Sequence, residues 1–231
     1  MMKADVSVIM PAAGLSLRME ANVRKPFIMI GEKPVFFYTL EKFYKLKRIK
    51  EIIFVVNKEN LSTVIEKWSN ELKACKVTKI IAGGERRQDS VYQGLSQLDP
   101  DTKIVLIHDA VRPLVKSREI EEVIRRADQK GAAILASPMK LTVKKVNSSL
   151  EIIKTVPRHN LWMAQTPQGF NRDLIFKAYE KIKNTNAELT DDAEVVEKVG
   201  HTVEIVSGSY DNIKITTRED LELAKLLLVK R

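Results

Sequence analysis

Hydrophobic residues along the chain alternate between short continuous runs and longer stretches at helical spacing. Continuous apolar runs bounded by polar or turn residues are typical of strands that are buried on both faces of a sheet. Predicted strands occupy Val6–Met10, Ile52–Val56, Val77–Ile81, Ile104–Ile107 and Ala132–Ala136. Predicted helices occupy Val35–Leu46, Leu61–Leu72, Asp89–Leu98 and Ser117–Lys130, the last with Ser117 as its cap. Strands and helices that alternate in this way form βαβ units and a mostly parallel sheet.

The alternation stops after the fifth predicted strand. Thr142–Val146 and Glu151–Val156 are both strand-like, and only residues 147–150 separate them. This spacing predicts a β-hairpin arm, at about residues 138–160, that protrudes from the sheet. Because a lone hairpin is only marginally stable in water, we expect the arm to pack against a partner, for which a second copy of the chain is the natural candidate.

The C-terminal third returns to the alternating pattern. Predicted helices occupy Asp173–Lys183, a segment from Asp191 onward with Thr190 as cap, and Glu219–Val229 with Thr217 as cap, and predicted strands occupy Thr202–Ser207 and Ile213–Thr216. The 231 residues fall below the ~250–300 at which a single core usually splits. The expected fold is therefore one α/β domain over residues 1–231, a Rossmann-like, mostly parallel sheet flanked by helices and carrying the hairpin arm.

Composition excludes several classes of protein. The 44% hydrophobic content argues against a disordered chain. The single cysteine, Cys75, excludes an internal disulfide framework and a cysteine-rich zinc site. The sequence has neither an apolar run of the ~18 residues that a membrane span needs nor the layout of a signal peptide. We expect a globular protein of a reducing compartment, the cytoplasm, without a membrane partner.

The net charge of +9 favours a polyanionic partner, such as nucleic acid, a membrane surface or a phosphorylated small molecule. No homeodomain, zinc-finger or aromatic RNA-binding signature accompanies the charge, so we expect no nucleic-acid partner. The motifs of dinucleotide redox enzymes, P-loop phosphotransferases, zinc proteases and serine hydrolases are also absent from the sequence.

Candidate chemistry follows the predicted strands, since ligands of parallel α/β sheets bind at the carboxyl ends of strands. Three small residues follow the first strand, namely Ala12, Ala13 and Gly14. They let backbone amides approach a phosphate closely. Arg18 and Lys25 then supply two cations, and Pro26 is expected to keep Lys25 extended and outside a helix.

Two further strands end in polar segments. After the third strand, a Gly-Gly pair opens the segment Gly83–Ser90, whose free N–H groups suit the edge of a nucleobase. After the fourth strand, Asp109 is placed to hold a divalent cation beside a phosphate, and Asp211 is a candidate second ligand. The neighbouring His108 is predicted to be structural.

Cations and hydroxyls later in the chain complete the candidate set. Arg158 lies near the base of the predicted hairpin, and Lys214 follows Asp211. Thr142 and Thr166 offer hydroxyl groups. Trp162 is predicted to pack in a core or an interface rather than to stack on a ligand.

These segments together carry a resemblance to a known family. The blocks are Pro-Ala-Ala-Gly at 11–14 with Arg18 and Lys25, Gly-Gly-Glu-Arg at 83–86 with Asp89-Ser90, His-Asp-Ala-Val-Arg-Pro at 108–113, Gln-Thr-Pro-Gln at 165–168, Leu-Thr-Asp-Asp at 189–192 and Asp-Asn-Ile-Lys-Ile-Thr at 211–216. Over nearly its whole length the chain resembles the 2-C-methyl-D-erythritol 4-phosphate cytidylyltransferases, within the sugar-phosphate nucleotidyltransferases. The resemblance implies a Mg²⁺-dependent transfer from CTP that gives a CDP-alcohol and pyrophosphate in non-mevalonate isoprenoid biosynthesis. It also implies a homodimer whose hairpin arm reaches into the neighbour's site.

The resemblance implies a role for each candidate residue. Charge stabilisation on the triphosphate falls to Arg18 and Lys25, and positioning of the substrate phosphate falls to Arg158 and Lys214. The implied CTP-binding residues are Ala12, Ala13, Gly14, Gly84, Glu85, Arg87 and Ser90. The implied substrate-binding residues are Asp109, Arg112, Thr142 and Thr166. The metal ligands stay those predicted from the strand ends, Asp109 and Asp211.

Two alternatives stay open at the level of sequence. A ribitol 5-phosphate or other alditol phosphate cytidylyltransferase shares the blocks around Asp109 and Thr166, although residues 12–14 and Asp211 favour methylerythritol phosphate. A basic nucleic-acid-binding protein would use the net charge of +9, but it leaves the Gly83-Gly84 pair without a role.

Overall fold

The computed structural model describes residues 4–13, 24–183, 185 and 188–229. Its strands are β1 (Val6–Pro11), β2 (Met29–Ile30), β3 (Lys33–Pro34), β4 (Ile49–Val56), β5 (Val77–Ala82), β6 (Ile104–Ile107), β7 (Ala132–Pro138), β8 (Val143–Val146), β9 (Ile152–Val156), β10 (Trp162–Asn171) and β11 (Glu204–Ser207). Its helices are α1 (Val35–Phe43), α2 (Leu61–Ala74), α3 (Arg87–Leu95), α4 (Ser117–Lys130), α5 (Arg172–Ile182), α6 (Asp192–Lys198) and α7 (Arg218–Val229), with short 3-10 turns at Lys25–Phe27 and Lys58–Asn60.

The main sheet has the strand order β11-β7-β10-β6-β1-β4-β5. Strand β1 pairs in parallel with both β4 and β6, and β4 pairs in parallel with β5. Strand β10 is antiparallel to its neighbours β6 and β7. The predicted α/β fold with a mostly parallel sheet is confirmed.

Strand β10 lies inside the sheet, yet the sequence pattern does not predict it. It contains Pro167, whose peptide bond with Thr166 is cis, and its register with β7 shifts between Ala164 and Gln168. Proline cannot donate a hydrogen bond to a neighbouring strand, so a proline inside a segment argues against a central strand. Here the register shift accommodates it.

Helices cover both faces of the sheet, and the side chains of β1 divide between them. Val8 and Met10 pack in the cluster that includes apolar residues of α1, α2 and α4. Ile9 packs in the cluster that includes apolar residues of α3, α5 and α6. Alternate side chains of a strand point to opposite faces, so β1 belongs to both cores.

A smaller apolar cluster lies beneath α7. It brings together Ile30 of β2, Val111, Ile215, and Leu221 and Ala224 of α7. Three separate loop segments therefore share one core with the C-terminal helix. This packing fixes the loops that carry the candidate site.

The predicted hairpin is present as a separate sheet of β8 and β9. It exposes large apolar side chains, among them Leu141 (76%), Leu150 (81%) and Ile152 (63%). Such side chains gain little from the chain's own core, so the arm keeps apolar surface that a partner would bury.

One predicted strand and two predicted helix caps are wrong. Ile213–Thr216 is not a strand, because Ile213 and Ile215 pack against α7 and the Ile215 N–H donates to the Val111 carbonyl (3.0 Å). The cap of α4 is Lys116 and not Ser117, because the helix begins at Ser117 itself. The Lys116 N–H donates to Glu119 Oε2 (2.9 Å).

The cap of α6 is the third of these wrong predictions. It is Asp191, not Thr190, and the Asp191 carboxylate accepts the Glu194 N–H (3.0 Å). A carboxylate is a stronger acceptor than a hydroxyl at the positive end of a helix. The Thr217 cap of α7 is confirmed, since its hydroxyl accepts the Asp220 N–H (3.3 Å). No helix in the described part of the chain is long and apolar enough to cross a bilayer.

Substitution at Gly169 tests the packing of α4 on β10. A Cβ at this position would lie 2.7 Å from Val123 Cγ1 and 3.0 Å from Leu106 Cδ2. We expect Gly169→Ala to lower the free energy of unfolding by about 1–3 kcal/mol, as overpacked cores do, in urea titrations. Ser62→Thr, which adds one methyl group at an exposed position of α2, is the control and should stay within about 0.5 kcal/mol of the parent. Equal stability of the two variants would contradict this packing.

Candidate active site

The carboxyl end of β1 is the point at which the chain changes direction across the sheet. From β1 the chain continues to β4 on one side and later returns to β6 on the other. Such a switch point leaves a crevice above the strand ends, and ligands of open α/β sheets bind there. A cavity of about 250 Å³ lies at this place. It is lined by Pro11, Ala12, Ala13, Lys25, Pro26, Gly84, Glu85, Arg86, Arg87, Ser90, Asp109, Val111, Lys214, Ile215 and Thr216.

The first wall of the cavity combines Ala12 and Ala13, after β1, with Lys25 and Pro26. Lys25 begins a 3-10 turn, so the expectation that Pro26 keeps it extended and outside a helix is wrong. The extended residue is Arg24, one position earlier. Proline tolerates the first positions of a helical turn, where its missing N–H leaves no bond unmade. Two predicted residues, Gly14 and Arg18, lie outside the described residues.

The second wall is the Gly-Gly turn after β5, which leaves no room for side chains. A Cβ at Gly84 would lie 2.4 Å from Asp89 Cβ, and one at Gly83 would lie 3.0 Å from Ala13 Cβ. The Gly84 N–H donates to Ser90 Oγ (3.2 Å), which ties the turn to the start of α3. Gly83 therefore lets this backbone approach the loop that follows β1, and Gly84 lets it approach the start of α3.

Asp109 is the centre of the third wall, and its buried carboxylate contacts three cations. Its Oδ2 atom lies 3.0 Å from Lys214 Nζ and 3.4 Å from Arg112 Nε. Its Oδ1 atom lies 3.3 Å from Arg87 Nε. Burial by itself raises the pKa of Asp109, but Lys214, Arg87 and Arg112 outweigh it and hold the pKa well below its usual value. The carboxylate is therefore ionised and fixed in direction.

The backbone of Asp109 is held by Thr166 and His108. Burial lowers the pKa of His108 to about 3, so its imidazole is neutral. Its Nε2 lies 3.1 Å from the Arg112 carbonyl, which can only accept, so Nε2 carries the proton. Its Nδ1 then accepts from the Thr166 hydroxyl (3.1 Å), whose oxygen accepts the Asp109 N–H (3.1 Å). His108 is structural, as predicted, and Thr166 lies behind Asp109 rather than in the cavity wall.

The cavity is electropositive. Among the described residues that line it, the cations are Lys25, Arg86, Arg87 and Lys214, and the carboxylates are Glu85 and Asp109. Arg86, which is not among the predicted CTP-binding residues, pairs with Asp89 (2.7 Å) at the start of α3. A pocket with excess positive charge suits a polyphosphate.

Other predicted residues lie away from this cavity. Thr142 and Arg158 are exposed on the hairpin arm. Asp211 is 47% exposed and lies 3.8 Å from Lys116 Nζ. Arg112 is largely buried beside Asp109 and donates to the Asn212 carbonyl (2.8 Å). Trp162, at 39% exposure, is not a core residue of this chain.

Comparison with known proteins identifies the family. The model of the 2-C-methyl-D-erythritol 4-phosphate cytidylyltransferase family (IspD) matches residues 6–230. A cytidylyltransferase of that name from Clostridium botulinum (strain Loch Maree / Type A3) is 45% identical over 227 residues, which are 97% of each chain. The chain belongs to this family. It is a nucleotidyltransferase, and the resemblance inferred from its sequence blocks is confirmed.

Solved structures of relatives have the same fold. The crystal structure of 4-diphosphocytidyl-2C-methyl-D-erythritol synthase from Anaerococcus prevotii is 32% identical, with a TM-score of 0.84 over 98% of this chain and 96% of that one. The 2-C-methyl-D-erythritol 4-phosphate cytidylyltransferase of Thermus thermophilus is 28% identical, with a TM-score of 0.81 over 97% and 99% of the two chains. These likenesses agree with the strand order and layers described above.

Two sequence blocks of the cytidylyltransferase family prove to support the site from behind. The Gln168 side-chain oxygen accepts the N–H groups of Asp192 and Ala193, each at 3.0 Å, and so anchors the start of α6. The buried Asn212 donates to Gln165 Oε1 (3.1 Å) and to the Thr166 carbonyl (2.9 Å). In the sequence, Gln168 and Asn212 stand out only because they belong to these blocks. Their residue types alone do not indicate a supporting role.

The residues present fit a metal ion that binds with a substrate. The described part of the chain contains no group of three or more His, Cys, Asp or Glu side chains suited to a metal. Asp109 points at the cavity, but both of its oxygens already contact cations. Mg²⁺ commonly binds through one or two carboxylates, substrate phosphates and water. Asp109 and the oxygens of a bound triphosphate would together supply that set of ligands, so a site made of protein ligands alone is not needed.

The buried His108 should make the free energy of unfolding depend on pH. In the unfolded chain its imidazole titrates near 6.5, whereas burial lowers the pKa in the folded chain to about 3. Between these values the unfolded state binds a proton that the folded state does not, so the free energy of unfolding should fall as the pH drops from about 6.5 toward 4. Asp109, whose pKa is lowered from 3.8, loses its stabilising effect only at still lower pH.

Denaturant titrations at several pH values measure this slope. His108→Gln should flatten it between pH 6.5 and 4, because the titrating group is gone. The exposed His159→Gln is the control and should keep it. An unchanged slope in His108→Gln would show that another group is responsible.

Proposed function

We propose that the chain transfers the cytidylyl group of CTP to 2-C-methyl-D-erythritol 4-phosphate in the cavity beside Asp109. The products are the CDP-alcohol and pyrophosphate, and the reaction belongs to isoprenoid precursor biosynthesis. The observation that carries the proposal is the cluster of Lys214, Arg87 and Arg112 around Asp109 at the sheet's switch point, in a chain of this family.

The chemistry accounts for the kinds of residue in the cavity. A phosphomonoester oxygen attacks the α-phosphorus of CTP, and the bond to the bridging oxygen breaks, so the electron pair leaves with pyrophosphate. Two polyanions must meet, and the protein mostly positions and neutralises them. The attacking oxygen is already anionic near neutral pH, so no strong general base is needed. The described lining of the cavity provides cations for these tasks.

CTP would lie between the first two walls. The backbone of Ala12 and Ala13 would receive the triphosphate, together with Gly14, and Lys25 would neutralise it, together with Arg18. The turn that contains Gly84, Glu85 and Ser90 would receive the cytosine. The lining supports this division, because Ala12 and Ala13 face the same cavity as Gly84, Glu85 and Ser90.

The sugar-alcohol phosphate would lie on the side of Asp109. The ionised carboxylate is an acceptor for the hydroxyl groups of the alcohol, and Lys214 Nζ, 3.0 Å away, is a donor to its phosphate. Arg112 and Thr166 would fix Asp109 rather than touch the substrate. When Mg²⁺ is bound by Asp109 and the triphosphate, it neutralises phosphate charge. The exposed Asp211 gains no support as a metal ligand from its contact with Lys116.

The arm residues fit a homodimer. Thr142 and Arg158 are exposed on the hairpin, outside the cavity of their own chain. The arm also exposes Leu150 and Ile152. We propose that the arm packs on a second copy and brings Arg158 and Thr142 to that copy's site. We also propose that the protein acts in the cytoplasm and uses CTP as its nucleotide.

Pyrophosphate release tests the substrate directly. With CTP and Mg²⁺, 2-C-methyl-D-erythritol 4-phosphate should release pyrophosphate far faster than ribitol 5-phosphate. Faster release with ribitol 5-phosphate would favour the alternative alditol substrate. If neither phosphate releases pyrophosphate and duplex DNA binds with a steep salt dependence, the proposal fails in favour of nucleic-acid binding.

Lys25→Ala tests the charge-neutralising role. Removal of one well-placed charge donor typically lowers the rate by about 10²–10³-fold, and we expect this loss in kcat with the fold intact. Lys177→Ala, an exposed lysine of α5, is the matched control and should retain parental turnover. Turnover at the parental rate by folded Lys25→Ala would remove Lys25 from the proposed site.

Mixing two inactive variants tests the shared site. In a heterodimer of Lys25→Ala and Arg158→Ala subunits, one site combines an intact Lys25 with an intact Arg158 from the other chain. After subunit exchange, random pairing should restore roughly a quarter of the parental turnover. No recovery in a mixture whose subunits demonstrably exchange would mean that Arg158 serves its own chain or none.

A further inference from the structure

A buried carboxylate outside the cavity contacts the site through a single arginine. Asp192, the first residue of α6, has a side chain with no exposed surface. Its Oδ2 atom lies 2.7 Å from Arg87 Nη2. The same guanidinium contacts Asp109 through Nε (3.3 Å). Arg87 therefore bridges two carboxylates, one in the cavity wall and one behind it.

Asp192 is itself firmly held. Its Oδ1 atom accepts a hydrogen bond from the buried Tyr179 hydroxyl (2.6 Å). Its N–H donates to Gln168 Oε1 (3.0 Å) on β10. The carboxylate has no freedom to follow Arg87 if the guanidinium turns away. It is an anchor for Arg87 and not a flexible partner.

The direction of Arg87 matters because the cavity is built for a polyphosphate. An arginine that lines such a cavity is attracted by any bound triphosphate. Burial by itself lowers the pKa of Arg87, but Asp192 and Asp109 outweigh it and raise the pKa above its usual value. The two carboxylates also hold the planar guanidinium at both ends. The contact with Asp192 thus opposes a swing of the guanidinium toward the nucleotide. The contact with Asp192 thereby keeps Arg87 Nε beside the Asp109 carboxylate.

We propose that Asp192 is a positioning residue, which holds Arg87 on Asp109 and thereby keeps the Asp109 carboxylate aligned for the sugar-alcohol phosphate. The effect passes through two contacts, Asp192 to Arg87 and Arg87 to Asp109. Arg87 accordingly serves Asp109 and not CTP. This inference rests on the role proposed above for Asp109.

Removal of both charges separates positioning from stability. Arg87→Gln alone leaves the buried Asp192 carboxylate without its cation, and Asp192→Asn alone leaves Arg87 without one of its two carboxylates, so each should lower the stability. The double variant has neither charge and should recover much of it. Turnover per folded molecule should fall about 10- to 100-fold in each single variant, as when outer partners of a site are lost. It should stay equally low in the double variant, because Asp109 still lacks its guanidinium.

Two further variants serve as controls. Arg87→Lys keeps a positive charge beside Asp192 but loses the two-ended fork, so it should fold well and turn over slowly. Tyr179→Phe removes the hydrogen bond on Oδ1 and leaves the Asp192–Arg87 ion pair, so its loss of turnover per folded molecule should be smaller than that of Asp192→Asn. Parental turnover in Arg87→Lys, or in the double variant once stability returns, would overturn the proposal.

A crystal structure of Asp192→Asn gives a readout that does not depend on the substrate. The Arg87 guanidinium should leave Asp109, and the 3.3 Å contact should be lost. If the contact persists, the inference fails whatever the enzyme acts on. If the contact is lost while the parent turns over neither alditol phosphate, the proposed function fails instead.

Discussion

One buried carboxylate organises the described part of this site. Asp109 is 9% exposed, and it is ionised because Lys214, Arg87 and Arg112 surround it. A buried charge without such partners is strongly unfavourable, so the folded state requires that these residues meet. They come from the start of α3, from the loop after β6 and from the segment before α7. The arrangement of the loops is therefore tied to a single electrostatic requirement.

Apolar packing brings those loops close enough for the charges to meet. Ile30, Val111 and Ile215 share the cluster beneath α7, and each lies a few residues from a charged residue of the cavity. Gly83 lets the opposite wall approach Ala13. Burial of these apolar side chains stabilises the loops, and the charged residues of the same loops face the cavity. Fold and site thus depend on the same few segments.

The sequence allowed the frame of the sheet and part of the site to be predicted for a simple reason. A strand buried on both faces must be continuously apolar, and the carboxyl ends of parallel strands meet at one edge. From this alone Asp109, Lys25 and the Gly83-Gly84 turn could be placed together. The contact of Asp109 with Lys214 extends the prediction across more than a hundred positions of the chain.

Other features follow from tertiary contacts that a one-dimensional pattern does not contain. Strand β10 was missed because Pro167 breaks the strand pattern, and the structure accommodates it with a shift in register. The apolar segment Ile213–Thr216 packs on a helix instead of joining a sheet. No role could be predicted for Asp192, although it lies in the block at 189–192, because its importance lies in its contact with Arg87 rather than in its neighbours along the chain.

A crystal structure with CTP bound tests the central claim most directly. In that structure the triphosphate should lie against Ala12, Ala13 and Lys25, and the cytosine against the turn at Gly84. The Asp109 carboxylate should still contact Lys214 near 3.0 Å. A nucleotide bound elsewhere on the protein, or an Asp109 stripped of its cations in the complex, would contradict it.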